Sequence, residues 1–267
     1  AIRAAQLGAS VCCIEKGDLG GVCTNAGCIP TKALWFSAKL ASEMAHGAEF
    51  GIKGEFEIDF PAIAERRDGI VKKLQGGIGG LLKAANVDTI QAVASFEDPH
   101  TLALDGADRD VVTAEKIFVA TGSKPVELPM AEFDHDLIWD SSDAVTTEEL
   151  PESVVIVGGG YIGIEFACIY AAYGVDVTVV EMLDTILPFN DPDCAKLVLR
   201  RLKKAGAKLM TGAALESVEK KDGSVVAKLA GGEEVKAQKM LVSVGRRADC
   251  SALTVDRKST RLNSSHY

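Results

Sequence analysis

A short apolar strand, Val154-Val155-Ile156-Val157, runs directly into Gly158-Gly159-Gly160-Tyr161-Ile162-Gly163, and this order constrains the fold more than any other stretch of the chain. A helix pattern follows to Gly174, and then a second apolar strand, Asp176 to Val180, ends in Glu181. A glycine run alone is a weak signal. Between a strand and a helix, with an acidic residue closing the next strand, it reads as a complete βαβ unit of a dinucleotide-binding fold. The glycines Gly158, Gly160 and Gly163 permit the tight turn and the close approach of a pyrophosphate to the helix N-terminus. Glu181 stands where a carboxylate accepts from the adenine ribose 2′-OH. A hydropathy window flags Val154 to Val175 as long enough to span a bilayer. The glycines and Glu165 within it favour strand, turn and helix over a membrane span.

A second motif lies near the start, Gly20-Gly21-Val22-Cys23-Thr24-Asn25-Ala26-Gly27-Cys28-Ile29-Pro30-Thr31-Lys32. Residues five apart on a regular helix have Cα atoms roughly 8–9 Å apart, and a disulfide tolerates less than about 7 Å. Cys23 and Cys28 can therefore pair only if the backbone bends. Gly27 sits where the bend is needed, and Pro30 fits the first turn of a helix continuing through Leu34. Lys32, four residues past Cys28, shares its helix face and is placed to stabilise a thiolate. Half of a zinc site is one alternative, but no second Cys/His pair at ligand spacing accompanies it, so no metal is expected. The spacing alone leaves redox and structural roles open; the glycines, Pro30 and Lys32 favour a redox-active pair.

The 267 residues, 47% hydrophobic, suffice for two domains, and the net charge of −9 argues against nucleic-acid or anionic-membrane partners. Seven cysteines without framework spacing fit a reducing compartment, the cytoplasm or a mitochondrial matrix. The chain opens within a helix pattern, Ala1 to Leu7, followed by a buried strand, Ala9 to Glu15. Helix is expected from Phe60 to Ala85, where Gly76 to Gly80 reads as an interruption or a close-packing site rather than a nucleotide loop. Strands are expected at Thr89–Phe96, Thr101–Leu104, Lys116–Ala120, Ala207–Val218, Val225–Leu229 and Glu234–Val244, with an amphipathic helix from Pro192 to Ala205. Pro125 to Pro151 reads as a connection between domains. Residues 256–267 have no apolar period and read as a non-native tail, with a native basic loop as the rival.

Gly-Gly-Val-Cys-Thr-Asn-Ala-Gly-Cys-Ile-Pro-Thr-Lys-Ala-Leu resembles the active-site signature of the pyridine nucleotide–disulfide oxidoreductases. The resemblance runs on through Glu15, Ala120-Thr121-Gly122-Ser123-Lys124-Pro125, Trp139-Asp140-Ser141-Ser142, the glycine run and Val244-Gly245-Arg246-Arg247. It implies an α/β chain of two doubly wound Rossmann-like domains. These are a partial FAD-binding domain at 1–147, its first glycine turn missing, and an NAD-binding domain at 148–255, with the family's C-terminal dimerisation domain absent. Within the family the Ile-Pro-Thr-Lys-Ala-Leu continuation is most similar to members that oxidise a protein-bound dihydrolipoyl group with NAD+. Related disulfide or mercuric reductases, or a non-catalytic redox sensor, are the alternatives.

By the same resemblance Cys23 is the exchange thiol, Cys28 the thiolate against the flavin, and Lys32 pairs with Glu165. Glu15, Gly20, Gly21, Thr121 and Gly122 belong to the FAD site; Gly158, Gly160, Tyr161, Gly163, Glu181 and Gly245 belong to cofactor binding. Tyr161 either covers the nicotinamide pocket or simply packs. The implied partners are a lipoyl-bearing protein of a 2-oxoacid dehydrogenase complex and a second subunit, whose histidine serves as base. Without those parts the chain is expected to hold FAD weakly and not to turn over.

Overall fold

The computed structural model describes residues 1–250; the tail read at 256–267 and His266 lie outside them. The described residues fall into two compact units. One comprises Ala1–Gly21 and Leu74–Ser123 with the segment beginning at Ala248; the other comprises Val22–Lys73 and Lys124–Arg247.

The second unit is built on a five-stranded sheet in the order Lys208–Thr211, Asp176–Glu181, Ser153–Val157, Lys239–Val242, Ile138–Trp139, parallel throughout. Ser153–Val157 lies at its centre, and Val154, Val155 and Ile156 are fully buried. A strand covered on both faces needs apolar residues at every position, which is why this one shows no alternation in sequence. Its two faces nevertheless separate. Val154 and Ile156 pack with Phe166, Ala167, Ile169 and Tyr170 of the helix Tyr161–Ala172 and with Leu34 and Ala38. Val155 and Val157 pack with Val225, Ala227, Leu229, Val235 and Ala237. Those residues belong to an antiparallel meander, Leu215–Lys221, Ser224–Leu229 and Glu234–Ala237. Helices therefore cover one face and the meander the other.

In the first unit Cys12–Glu15 pairs in parallel with Asp88–Gln91, and Val93–Asp98, Thr101–Asp105 and Val111–Thr113 form an antiparallel meander. The α/β class expected from the sequence is the class the chain adopts. No helix among the described residues is long and apolar enough to cross a membrane.

Several element readings need correction. Lys116–Ala120 forms no strand: Phe118 and Val119 are exposed, and an apolar run without a neighbouring strand has no ladder for its backbone. Thr89–Phe96 divides at Ala92, whose N–H donates to Glu15 O at 3.1 Å while the flanking segments pair with different strands. Ala207–Val218 divides at Gly212, which takes φ +68°, so one half joins the parallel sheet and the other the meander. Glu234–Val244 divides at Gln238, whose amide oxygen accepts from Glu152 N. The helix Phe60–Ala84 runs through Gly76 to Gly80 without interruption, and of these glycines only Gly79 is so placed that an added Cβ would meet a neighbour, Leu19 Cδ1 at 3.6 Å. In an intact helix a glycine costs only about 1 kcal/mol against alanine.

The stretch from Pro125 to Pro151 is ordered rather than a plain connection. It supplies the edge strand Ile138–Trp139 and the helix Ser141–Thr146, whose start is closed by a reciprocal capping box between Asp140 and Asp143. Its other end is held by Arg67, only 2% exposed. The guanidinium donates to Val145 O and Thr147 O at 2.8 Å, to Thr146 O at 3.2 Å, and to the Asp68 carboxylate. These are the carbonyls a helix C-terminus leaves without partners. Arg67→Met is expected to destabilise this unit by about 2–4 kcal/mol, because several buried acceptors lose their donor at once. Urea denaturation checks it; a loss below about 1 kcal/mol would mean that water replaces the guanidinium.

Candidate functional site

The short helix Gly21–Ala26 stops at Gly27, where φ is −144° and ψ −115°, and the helix Cys28–Ala45 begins. The break brings the Cα atoms of Cys23 and Cys28 to 4.7 Å and the two residues form a disulfide, within the range such a bond needs. Space dictates the glycine: a Cβ at position 27 would stand 2.8 Å from Val22 O and 3.3 Å from Cys23 Cα. The Gly27 carbonyl accepts from Thr31 N at 3.0 Å and Thr31 Oγ1 at 2.6 Å. Pro30 is the third residue of the new helix, where an N–H has no acceptor to lose.

Cys12, Cys13, Cys168, Cys194 and Cys250 are free. Burial, then the Glu165 charge, pushes the Cys168 thiol up, and burial, then Asp88, does the same to Cys12. Alkylation of the oxidised chain is expected to label the exposed Cys194 and Cys250 readily, and Cys23 and Cys28 only after reduction. Mass mapping reads this, and a bridge to Cys12 or Cys168 in place of the 23–28 bond would refute it.

Lys32 Nζ lies 2.5 Å from Glu165 Oε1, joining the cysteine helix to the helix after the glycine turn. The structure thus gives the one carboxylate of that apolar helix a cation as partner.

At the glycine turn the three glycines stand in different surroundings. Gly158 has φ +111°, and a Cβ there would stand 2.6 Å from Ser243 O. A Cβ on Gly163 would overlap Gly158 O and stand 2.6 Å from Ser243 Oγ. Gly160 differs, since its Cβ would meet no protein atom within 4 Å. Nothing in the protein's own packing demands glycine there, and the space beside it is open.

Glu181, 9% exposed, closes its strand with both oxygens engaged: Oε2 accepts from Gly159 N at 2.6 Å and Oε1 from Leu183 N at 2.8 Å. Each carboxylate oxygen keeps a further lone pair. Ser243, absent from the sequence reading, donates from Oγ toward Val157 O and Gly158 O at 3.2 Å and so braces the turn. A lone serine between two valines carries no signal of that role. Tyr161 is 70% exposed and is not a core residue. Gly245 has φ +128°, and its carbonyl accepts from Val126 N.

In the first unit Glu15 ends the strand Cys12–Glu15, its Oε1 accepting from Gly17 N at 3.0 Å. Gly20, Gly21 and Gly122 all have positive φ, and Gly122 O, next to Thr121, accepts from Asp249 N. Among the described histidines, His46 bonds to Ser42 O, His100 to Ala114 O and His135 to Asp143. His135, Asp140 and Asp143 come within 4.8 Å of one another. Their carboxylates form the cap of the helix Ser141–Thr146, whose positive end disfavours a cation.

The chain is 40% identical to dihydrolipoyl dehydrogenase of Geobacillus stearothermophilus over 269 residues, 99% of this chain and 57% of that protein. A protein of the same name from Halobacterium salinarum is 40% identical over 96% of this chain and 56% of its own length. Among solved structures, LpdA from Mycobacterium tuberculosis superposes with a TM-score of 0.85 at 26% identity, covering 95% of this chain and 56% of that one. The flavoprotein disulfide reductase RclA from Escherichia coli superposes with a TM-score of 0.81 at 28% identity, over 95% of this chain and 55% of its own. The chain therefore spans a little over half the length of the relatives it matches. The profile described as pyridine nucleotide-disulphide oxidoreductase matches residues 1–265, and the chain belongs to that family.

Proposed function

We propose that the intact protein oxidises a protein-bound dihydrolipoyl group to its disulfide and delivers the electrons to NAD+. The balance is dihydrolipoyl plus NAD+ giving lipoyl, NADH and a proton. The observation that carries this reading is the Cys23–Cys28 disulfide at a helix break, in the same unit as a glycine turn closed by a buried carboxylate. The relatives named dihydrolipoyl dehydrogenase support it.

In this reading Cys23 exchanges with the substrate thiol and Cys28 is the inner sulfur. Lys32, held by Glu165, places a positive charge on the cysteine helix, one turn beyond Cys28. The residues present fit a dinucleotide at the glycine turn. The open space at Gly160 takes the pyrophosphate, Glu181 retains lone pairs for the ribose hydroxyls, and Gly158 and Gly163 make the turn tight enough to present its N–H groups. Exposed Tyr161 covers the nicotinamide end, with Gly245 beside the same cofactor. Glu15, with one oxygen bonded only to Gly17 N, keeps acceptors for a flavin ribose, alongside Gly20, Gly21, Thr121 and Gly122. Bound FAD would relay the two electrons between the dithiol and the nicotinamide.

In this reading, as the family resemblance implies, the base that takes the Cys23 proton is a histidine supplied by a second subunit of a homodimer. The substrate is a lipoyl-bearing protein of a 2-oxoacid dehydrogenase complex. Dihydrolipoamide is expected to open the 23–28 bond faster than glutathione at equal thiolate concentration, followed by mass after alkylation. A pair opened preferentially by glutathione, or resistant to both, would overturn the assignment.

A further inference from the structure

We propose that Pro30 is a positioning residue that holds Cys23 and Cys28 at bonding distance when no covalent bond joins them, so that the pair recloses without rearranging the chain. The proposal rests on the reading of this pair as the redox centre.

In the oxidised chain the helices Gly21–Ala26 and Cys28–Ala45 meet at Gly27, one residue long, with the cysteine Cα atoms 4.7 Å apart. Once the bond is reduced, an obvious alternative is one continuous helix. That would move the two Cα atoms to roughly 8–9 Å, out of reach of each other's sulfur. Two features of the motif do not oppose it. Glycine at 27 is only mildly unfavourable in a helix, and the bonds from Thr31 N and Oγ1 to Gly27 O follow the i to i−4 pattern that a continuous helix keeps.

Pro30 does oppose it. In the joined helix it would become an interior residue, with no N–H for the Ala26 carbonyl and with its ring driven against that carbonyl. Such a placement disfavours the joined form on the order of a hundredfold. In the broken form Pro30 sits in the first turn, where neither cost arises, and it is buried there. Gly27 permits the break, because any Cβ would strike Val22 O; Pro30 enforces it in both redox states.

The test equilibrates the full chain with dithiothreitol and its oxidised form. A dithiothreitol thiolate attacks one sulfur of the pair, forming a mixed disulfide and releasing the other as thiolate. The second dithiothreitol sulfur then closes its own ring, so two electrons pass to the protein and two protons settle on its thiols. Alkylation mass gives the dithiol fraction, and far-ultraviolet circular dichroism gives the helix content of each form.

The unaltered chain is expected to gain no helix on reduction. Pro30→Ala is expected to gain helix when reduced and to shift the equilibrium toward dithiol at least about tenfold, which corresponds to ~30 mV. Ile29→Pro in the Pro30→Ala background should restore the original equilibrium, because a proline one residue earlier bars the joined helix as well. A Pro30→Ala chain with unchanged equilibrium and helix content overturns the proposal. If that variant does not fold, Cys23→Ser with Cys28→Ser decides, since a gain of helix there with Pro30 in place is equally fatal. A pair that dithiothreitol does not reduce in the unaltered chain overturns the functional reading itself.

Discussion

Gly160→Ala is expected to leave the chain as stable as before and to remove most of its NAD+ affinity, whereas Gly163→Ala is expected to lose both. The contrast follows from what each new methyl group would meet. At Gly160 the backbone has φ −73°, comfortable for alanine, and no protein atom lies within 4 Å of the new Cβ. Only a ligand lying against the turn would collide with it. At Gly163 the methyl would overlap Gly158 O, stand 2.6 Å from Ser243 Oγ and 3.1 Å from Ile156 Cγ2. The first is backbone of the turn and the last is a fully buried core side chain, so neither yields easily. Overpacking of this kind costs about 3 kcal/mol and displaces the N–H groups that would face the pyrophosphate. Thermal denaturation with calorimetric titration of NAD+ separates the two outcomes. Unchanged NAD+ affinity in Gly160→Ala would mean that the cofactor does not lie against this turn.

NAD+ is expected to bind in preference to NADP+, and Glu181→Ala to erase most of that preference. A carboxylate accepts from a ribose 2′-OH but repels a 2′-phosphate, and Met182 to Asn190 offer no cation to compensate. Glu181 has a second task. Its oxygens hold Gly159 N and Leu183 N, so it couples the glycine turn to the loop beyond its own strand. Removing it leaves a buried N–H without an acceptor, a cost of about 1–3 kcal/mol. Part of the roughly 10–100-fold loss of NAD+ affinity expected for Glu181→Ala should therefore appear also as lost stability in the free protein. Titrating both dinucleotides into the unaltered and altered chains decides the point. Equal or tighter binding of NADP+ by the unaltered chain would overturn the cofactor assignment.

The sequence by itself determined the features whose physics is local. An all-apolar strand running into glycines, then a helix and a second apolar strand ending in an acid, reads as a buried parallel strand feeding a tight turn, and Val154 to Glu181 needed no distant information to be read. The helix break at Gly27 was equally legible, because a proline three residues on and a spacing of five between cysteines leave the backbone little choice. Tertiary structure decided wherever the partner is distant or a segment changes sheet. Lys32 and Glu165 lie 133 residues apart and meet because their helices pack on one face of the same sheet. Arg67 looks like any polar helix residue until the end of the helix Ser141–Thr146 arrives above it. Gly212 and Gln238 mark where one apolar run serves two sheets, a division invisible to periodicity because both halves are strand. Lys116–Ala120 has strand composition and no ladder to join, since pairing is a property of two segments and composition belongs to one.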